Sequence, residues 1–215
     1  MLPLLRTSDP NGLLIGLGIF VLVLFLAYIF GVQRTKNLTA AAASFGFAPA
    51  QDVPFVRQTP LFQRNISLSN IFVGTTGGFE AAFFDLRVGQ GKNSYSQTVA
   101  GFRKAGVNIP PFQLHATNLA DRIAAHFSDE IIPIDCDPSF SHRYTVRSKA
   151  REECQSFFSP MVAAYFAQLP PHKLTIEGAG EGVILYTHGS LCNPSKIGDF
   201  MNETGNIAVG FFSQV

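Results

Sequence analysis

The sequence predicts an α+β protein: one N-terminal transmembrane helix followed by an antiparallel sheet with helices packed on one face. Three observations predict it. An uncharged apolar run near the N-terminus is long enough to cross a bilayer. Residues 65–113 follow a period of two, as strands do. Residues 117–204 mix helical periodicity with short strand-like runs.

Between Pro10 and Gln33 the only ionisable side chain is Tyr28, and "GLLIGLGIFVLVLFLAYIFGV" fills that window. About 20 apolar residues rising about 1.5 Å each span about 30 Å, the hydrocarbon thickness of a bilayer. A secretory signal would carry a shorter apolar stretch, about 7–15 residues, leading directly to a cleavage site. Here Arg34 and Lys36 separate the run from the small residues of "TAAAAS". The segment therefore reads as an uncleaved anchor over residues 13–32, preceded by a short tail, 1–12. Arg6 precedes the span while Arg34 and Lys36 follow it, so the charge bias across it is small. The three cysteines (Cys136, Cys154 and Cys192) are odd in number and lack framework spacing. That suits a reducing compartment and places the C-terminal domain on the cytoplasmic side.

Residues 33–64 read as a juxtamembrane helix and an extended connector. "QRTKNLTAAAASFGF" continues the helix for two or three turns, with Gly46 as its stop. Pro49, Pro54 and Pro60 then exclude a helix and lay the chain over the domain surface.

Residues 65–204 form the globular domain. "NISLSNIFV", "FEAAFFDLRV", "YSQTVAGF" and "IPPFQLHA" predict four strands in an antiparallel meander, with Phe84, Leu86 and Val88 on one face and Asp85 and Arg87 on the other. Thr117 or Asn118 can cap a helix carrying Leu119, Ile123 and Phe127. "IIPIDCDPSFSHRYTVRSKA" reads as a turn region between short strands. A longer helix is expected from about Arg151 to Leu169, kinked at Pro160. "KLTIE", "GAGEG" and "VILYT" predict a hairpin. "NPSKIGDFMNETG" predicts a last helix with Asn193 as its cap and Gly205 past its end.

No segment carries a catalytic signature. "GQGKN" lacks the GxxxxGK[ST] spacing of a phosphate cradle and is followed by a strand pattern where a helix is required, so it reads as a hairpin turn. "GAGEG" is followed by a strand pattern too, and does not fit a dinucleotide fingerprint. Asp135, Asp137 and His142 are the candidate metal ligands, since carboxylate and imidazole groups on nearby positions can share a transition metal. No cofactor is predicted. A net charge of +1 with Lys and Arg scattered singly argues against nucleic acid as a partner.

Phenylalanine is the unusual residue, with 21 copies and no tryptophan. Most of these rings must be core. The apolar C-terminal tail, residues 205–215, ends in Phe211 and Phe212, which should dock on the domain or on a partner. Gly12 and Gly16 stand at the GxxxG spacing that lets membrane helices approach closely. These four residues are the candidate partner contacts.

The order of a single span, an Ala-rich juxtamembrane helix, "FDLRVGQGKNSYSQTVAGF", "PSFSHRYTVRS" and "LTIEGAGEGVILY" resembles a loose group of uncharacterised bacterial single-pass membrane proteins with a C-terminal α+β domain. The resemblance implies this architecture and an inner-membrane location, and it implies no activity. The chain is accordingly expected to be a non-enzymatic accessory or scaffold subunit of a larger membrane complex, of respiratory or photosynthetic type. Membrane lipid and other integral membrane subunits would be its partners. The alternative is a tethered small-ligand-binding protein or enzyme with a pocket between sheet and helices.

Overall fold

The structure, a computed structural model, describes residues 10–119, 121, 128–170 and 173–215. One helix, α1 (Pro10–Ser44), runs without interruption for 35 residues. Among the described residues it is the one helix long and apolar enough to cross a membrane, with a mean hydropathy of 2.7 over its apolar 18-residue window. The expected anchor at 13–32 and the juxtamembrane helix after it are thus one rod. It ends where expected: Gly46 takes φ +76°, which only glycine adopts freely, and the Gly46 and Phe47 amides close on the carbonyls of Ala43 and Ala42.

The α+β architecture holds. Among the described residues nine strands form one antiparallel sheet: β1 (Ala48–Pro49), β2 (Ile66–Thr76), β3 (Phe79–Val88), β4 (Tyr95–Arg103), β5 (Ile109–Ala116), β6 (Ile131–Ile132), β7 (Tyr144–Arg147), β8 (Leu174–Gly180) and β9 (Gly182–Thr187). Their spatial order is β1-β2-β3-β4-β9-β8-β5-β7-β6. β2, β3 and β4 make the expected meander, but β5 does not continue it. The β8–β9 hairpin lies between β4 and β5, because β9 pairs with β4 and β8 with β5. Sequence adjacency does not encode that insertion.

The helices pack on one face, as α+β layering requires. Besides the end of α1 they are α2 (Pro138–Arg143), α3 (Arg151–Phe157), α4 (Pro160–Gln168) and α5 (Ile197–Phe212). The core there joins Leu38 and Ala42 of α1, Phe83, Phe102, Phe112 and Leu185 of the sheet, and Phe158, Phe166, Met201, Phe211 and Phe212. The long helix expected over 151–169 is two helices. Phe158 leaves the helical region, and Ser159 caps α4 with Pro160 at its first position. A proline preceded by a good cap residue starts a helix instead of kinking one.

The second sheet face is covered by the connector. Residues 53–63 form a strap of two 3₁₀ turns, Pro54–Val56 and Pro60–Gln63. Its Val53, Val56 and Leu61 pack on Phe84, Leu86, Val99, Ile184 and Tyr186. Burying each such aliphatic side chain is worth about 1.5–3 kcal/mol. The "GAGEG" glycines serve this packing. A Cβ at Gly182 would meet the Phe55 carbonyl oxygen of the strap at 2.8 Å, and a Cβ at Gly178 would meet Phe112 on the other face at 2.5 Å. Both glycines lie within the strands and not in the turn.

The last helix also differs from expectation. Asn193 caps a 3₁₀ turn, Pro194–Lys196, and α5 runs on through Gly205 to Phe212. Residues 205–212 are therefore helix and core, and no separate tail begins at 205.

Candidate functional site

The polar interactions that matter most sit where α1 meets the sheet. Arg34, Leu38 and Ala42 follow one another at i, i+4 spacing, so one stripe of the helix faces the domain. Leu38 and Ala42 are buried, and Arg34 reaches Asp85 on β3. The guanidinium grips the carboxylate with two bonds, Nε to Oδ2 at 2.8 Å and Nη2 to Oδ1 at 2.8 Å. Its Nη1 donates to the carbonyl of Cys192 at 2.9 Å. Asp85 also accepts from Thr98 Oγ1 and Asn70 Nδ2, each at 2.8 Å. Thr35 Oγ1 donates to Asn70 Oδ1 at 2.7 Å, so two successive helix residues hold the site. Asn70 adopts φ +50°, at an irregularity in the β2–β3 register, a conformation asparagine tolerates better than most residues.

Asp85 lies, as expected, on the face of β3 opposite Phe84, Leu86 and Val88, and it is buried there beneath the helix. Arg34, expected only to flank the span, is an ion-pair partner of the domain. The i, i+4 stripe was present in the sequence, but nothing there indicated which strand would supply the acid.

A second polar group lies under the strap. Glu177 on β8 is fully buried. Its Oε1 accepts from the Tyr186 hydroxyl at 2.6 Å and from Gln113 Nε2 at 2.7 Å, and its Oε2 accepts from the Leu61 amide of the strap at 2.6 Å. The strap is thereby latched to the sheet. Burial pushes the Glu177 carboxyl upward, against the lowering influence of these three donors and of the Arg64 charge. A carboxyl raised by folding stabilises the native state fully below its unfolded pKa, and that contribution is lost as pH rises towards the folded value. Glu177→Gln mimics the protonated form. Its stability relative to wild type is therefore expected to improve as pH rises above 4.5, the ordinary glutamate value. Denaturant unfolding of both proteins at several pH values measures this, and a difference constant with pH would disprove it.

On the same sheet face Glu177, Gln113 and Arg147 stand side by side on β8, β5 and β7. Arg147 Nη2 reaches Asp121 Oδ1 at 2.8 Å, and His115 Nε2 lies 2.9 Å from Asp121 Oδ2. Burial alone would raise the Asp121 carboxyl. The Arg147 hydrogen bond, the Asn118 amide and His115 outweigh it and hold that carboxyl below the usual range. Asn118 and Asp121 exchange reciprocal side-chain-to-amide bonds at 3.1 and 3.0 Å, the capping arrangement expected at 117–118. Ile123 and Phe127 of the expected helix lie outside the described residues.

The other candidate residues are placed as follows. Asp137 caps α2, accepting from the amides of Ser139 and Phe140, while Asp135 and His142 are exposed. Among the described residues no group of three or more His, Cys, Asp or Glu is arranged to hold a metal, so the trio is not brought together. The segment read as turns between strands contains α2, with Asp137 spent on its cap. Phe211 and Phe212 are each 1% exposed. Phe211 packs on Phe112, Phe157 and Phe166, and Phe212 stacks on Phe79. They dock on their own domain and not on a partner surface. Gly16 has open space around it, and the surroundings of Gly12 lie outside the described residues. "GQGKN" is the β3–β4 hairpin turn, with φ +79° at Gly89 and +62° at Gly91.

This architecture has a known counterpart. The structure superposes on the crystal structure of the mycobacterial trehalose monomycolate transport factor A, TtfA, with a TM-score of 0.54 and 11% sequence identity. The match covers 84% of this chain and 93% of that one, so it includes nearly the whole fold. At that identity the likeness is one of fold alone. No protein-family model and no curated protein sequence matches the chain.

Proposed function

We propose that this chain is a single-pass, non-enzymatic accessory subunit of a membrane protein complex, its domain held at the cytoplasmic surface of the bilayer. The observation that carries the reading is the Arg34–Asp85 lock on an uninterrupted helix. An enzyme that is merely tethered needs only a flexible linker, which leaves its domain free to turn. Here the rod that leaves the bilayer is bonded into the sheet, so the domain keeps one orientation relative to the membrane. That is the property of a part that must meet its neighbours in a fixed pose. The fold likeness to a transport factor supports a transport assembly over a respiratory or photosynthetic one. Integral subunits would meet the lipid-facing side of α1, where Gly12 and Gly16 offer close approach.

Gentle extraction, affinity capture and native sizing of the full chain test this. The expected result is a defined complex containing other integral membrane proteins. A lone monomer in every mild detergent overturns the proposal. Sidedness has its own test, because the Cys136 thiol is free and exposed. Burial and the neighbouring Asp137 and Asp135 charges push that thiol upward, so an impermeant maleimide is best applied at mildly alkaline pH. Labelling is expected only after the cells are permeabilised, and labelling of intact cells reverses the orientation.

A further inference from the structure

Beside the end of the strap the second sheet face opens into a groove of about 460 Å³. Arg64 lines it from the strap side, Gln113 and Arg147 from the sheet, and Lys149 from the segment after β7. Glu130 is the one carboxylate among the described residues of the lining. Arg64 and Lys149 make no ion pair or side-chain hydrogen bond among the described residues. Arg147 is engaged with Asp121 through Nη2, while its Nε is buried and has no hydrogen-bond partner. A buried N–H without an acceptor costs free energy, and native structures rarely leave one so. The groove thus gathers around an open space the Arg147 guanidinium and two cations, Arg64 and Lys149, that have no ion pair among the described residues.

We propose that this groove binds a phosphate group, held by Arg64, Arg147 and Lys149. A carboxylate would be satisfied by one forked guanidinium. Three cationic side chains approaching from the strap, the sheet and the following loop suit a tetrahedral dianion with more acceptor oxygens. The phosphate could belong to a small phosphomonoester or to the headgroup of a phosphatidic-acid-type lipid; the recognition chemistry is the same. Glu130 opposes the ligand and limits its affinity. This site lies between sheet and strap, opposite the helices, and is independent of the subunit role argued above.

The test follows thermal unfolding of the full chain in an uncharged detergent. Inorganic phosphate is titrated at constant ionic strength set with chloride, and dihexanoyl phosphatidic acid is titrated in parallel. Phosphate is expected to raise the midpoint saturably. Arg64→Gln with Lys149→Gln should weaken that response by at least about tenfold, and Glu130→Gln should strengthen it. Both substituted cations are exposed, so the ligand-free midpoint of the double variant should stay within about 2 °C of wild type. A shift given by the short-chain lipid alone, and lost in the double variant, assigns the phosphate to a lipid. A shift given by phosphate as well assigns it to a soluble ester. The proposal is overturned if neither reagent gives a shift, or if the shift survives in the double variant.

Discussion

Asp85→Ala is expected to destabilise the folded chain by about 3–5 kcal/mol, the usual cost of removing one member of a buried ion pair. The substitution strands the Arg34 guanidinium together with the Asn70 amide and the Thr98 hydroxyl, all of which now donate to this carboxylate. Arg34→Ala should cost less, because Asp85 would keep Asn70 and Thr98 as donors and gain access to water. The order of the two effects distinguishes a lock built around the acid from an incidental surface pair. Thermal or urea unfolding of the full chain in detergent measures both, and for a domain of this size the larger effect lowers the midpoint by on the order of 10 °C. A loss under about 1 kcal/mol for Asp85→Ala would show that the helix is seated by Leu38 and Ala42 alone. If the domain stays folded while proteins that co-purify with the wild type are lost, orientation and not stability is what the lock supplies.

Phe211→Ala is expected to cost about 3–5 kcal/mol as well, since it opens a cavity where four rings converge. Phe112, Phe157, Phe166 and Phe212 all lie within 6.4 Å of its ring, centroid to centroid. Truncating the chain after Thr204 removes Ile207, Ala208, Phe211 and Phe212 together, along with the Ile207 carbonyl that accepts from the Tyr165 hydroxyl. The truncated domain should fail to fold. Val209→Ala is the control: this side chain is 37% exposed, and its loss should cost no more than about 0.5 kcal/mol. Normal stability in Phe211→Ala, combined with loss of co-purifying proteins, would return these rings to the role of partner contacts.

How far each feature is legible in the sequence follows from what that feature depends on. The apolar helix, its stop at Gly46, the β2–β4 meander and the turn at Gly89–Gly91 rest on local chemistry, and all were legible. The insertion of β8–β9 between β4 and β5 rests on pairing between distant segments, which periodicity does not report. Asp85 shows the limit clearly. Alternation along β3 placed it opposite Phe84 correctly, but alternation does not report that a helix about 50 residues earlier in the chain covers that face. Glu177 gave no signal either, because a single glutamate in a strand pattern ordinarily points to water. The metal trio failed for the opposite reason. Its residues are close in sequence, but a short helix begins at Pro138 and turns them apart.

The latch between Leu61 and Glu177 joins residues 116 positions apart in the chain. A ribosome adding about 5–20 residues per second needs on the order of ten seconds to cover that distance. Throughout that interval the strap has no sheet to close on, and the apolar face of β3 and β4 stands open. The Arg34 contact to Cys192 completes later still. Nascent chains of this protein should therefore depend on a chaperone until the C-terminal third has been made.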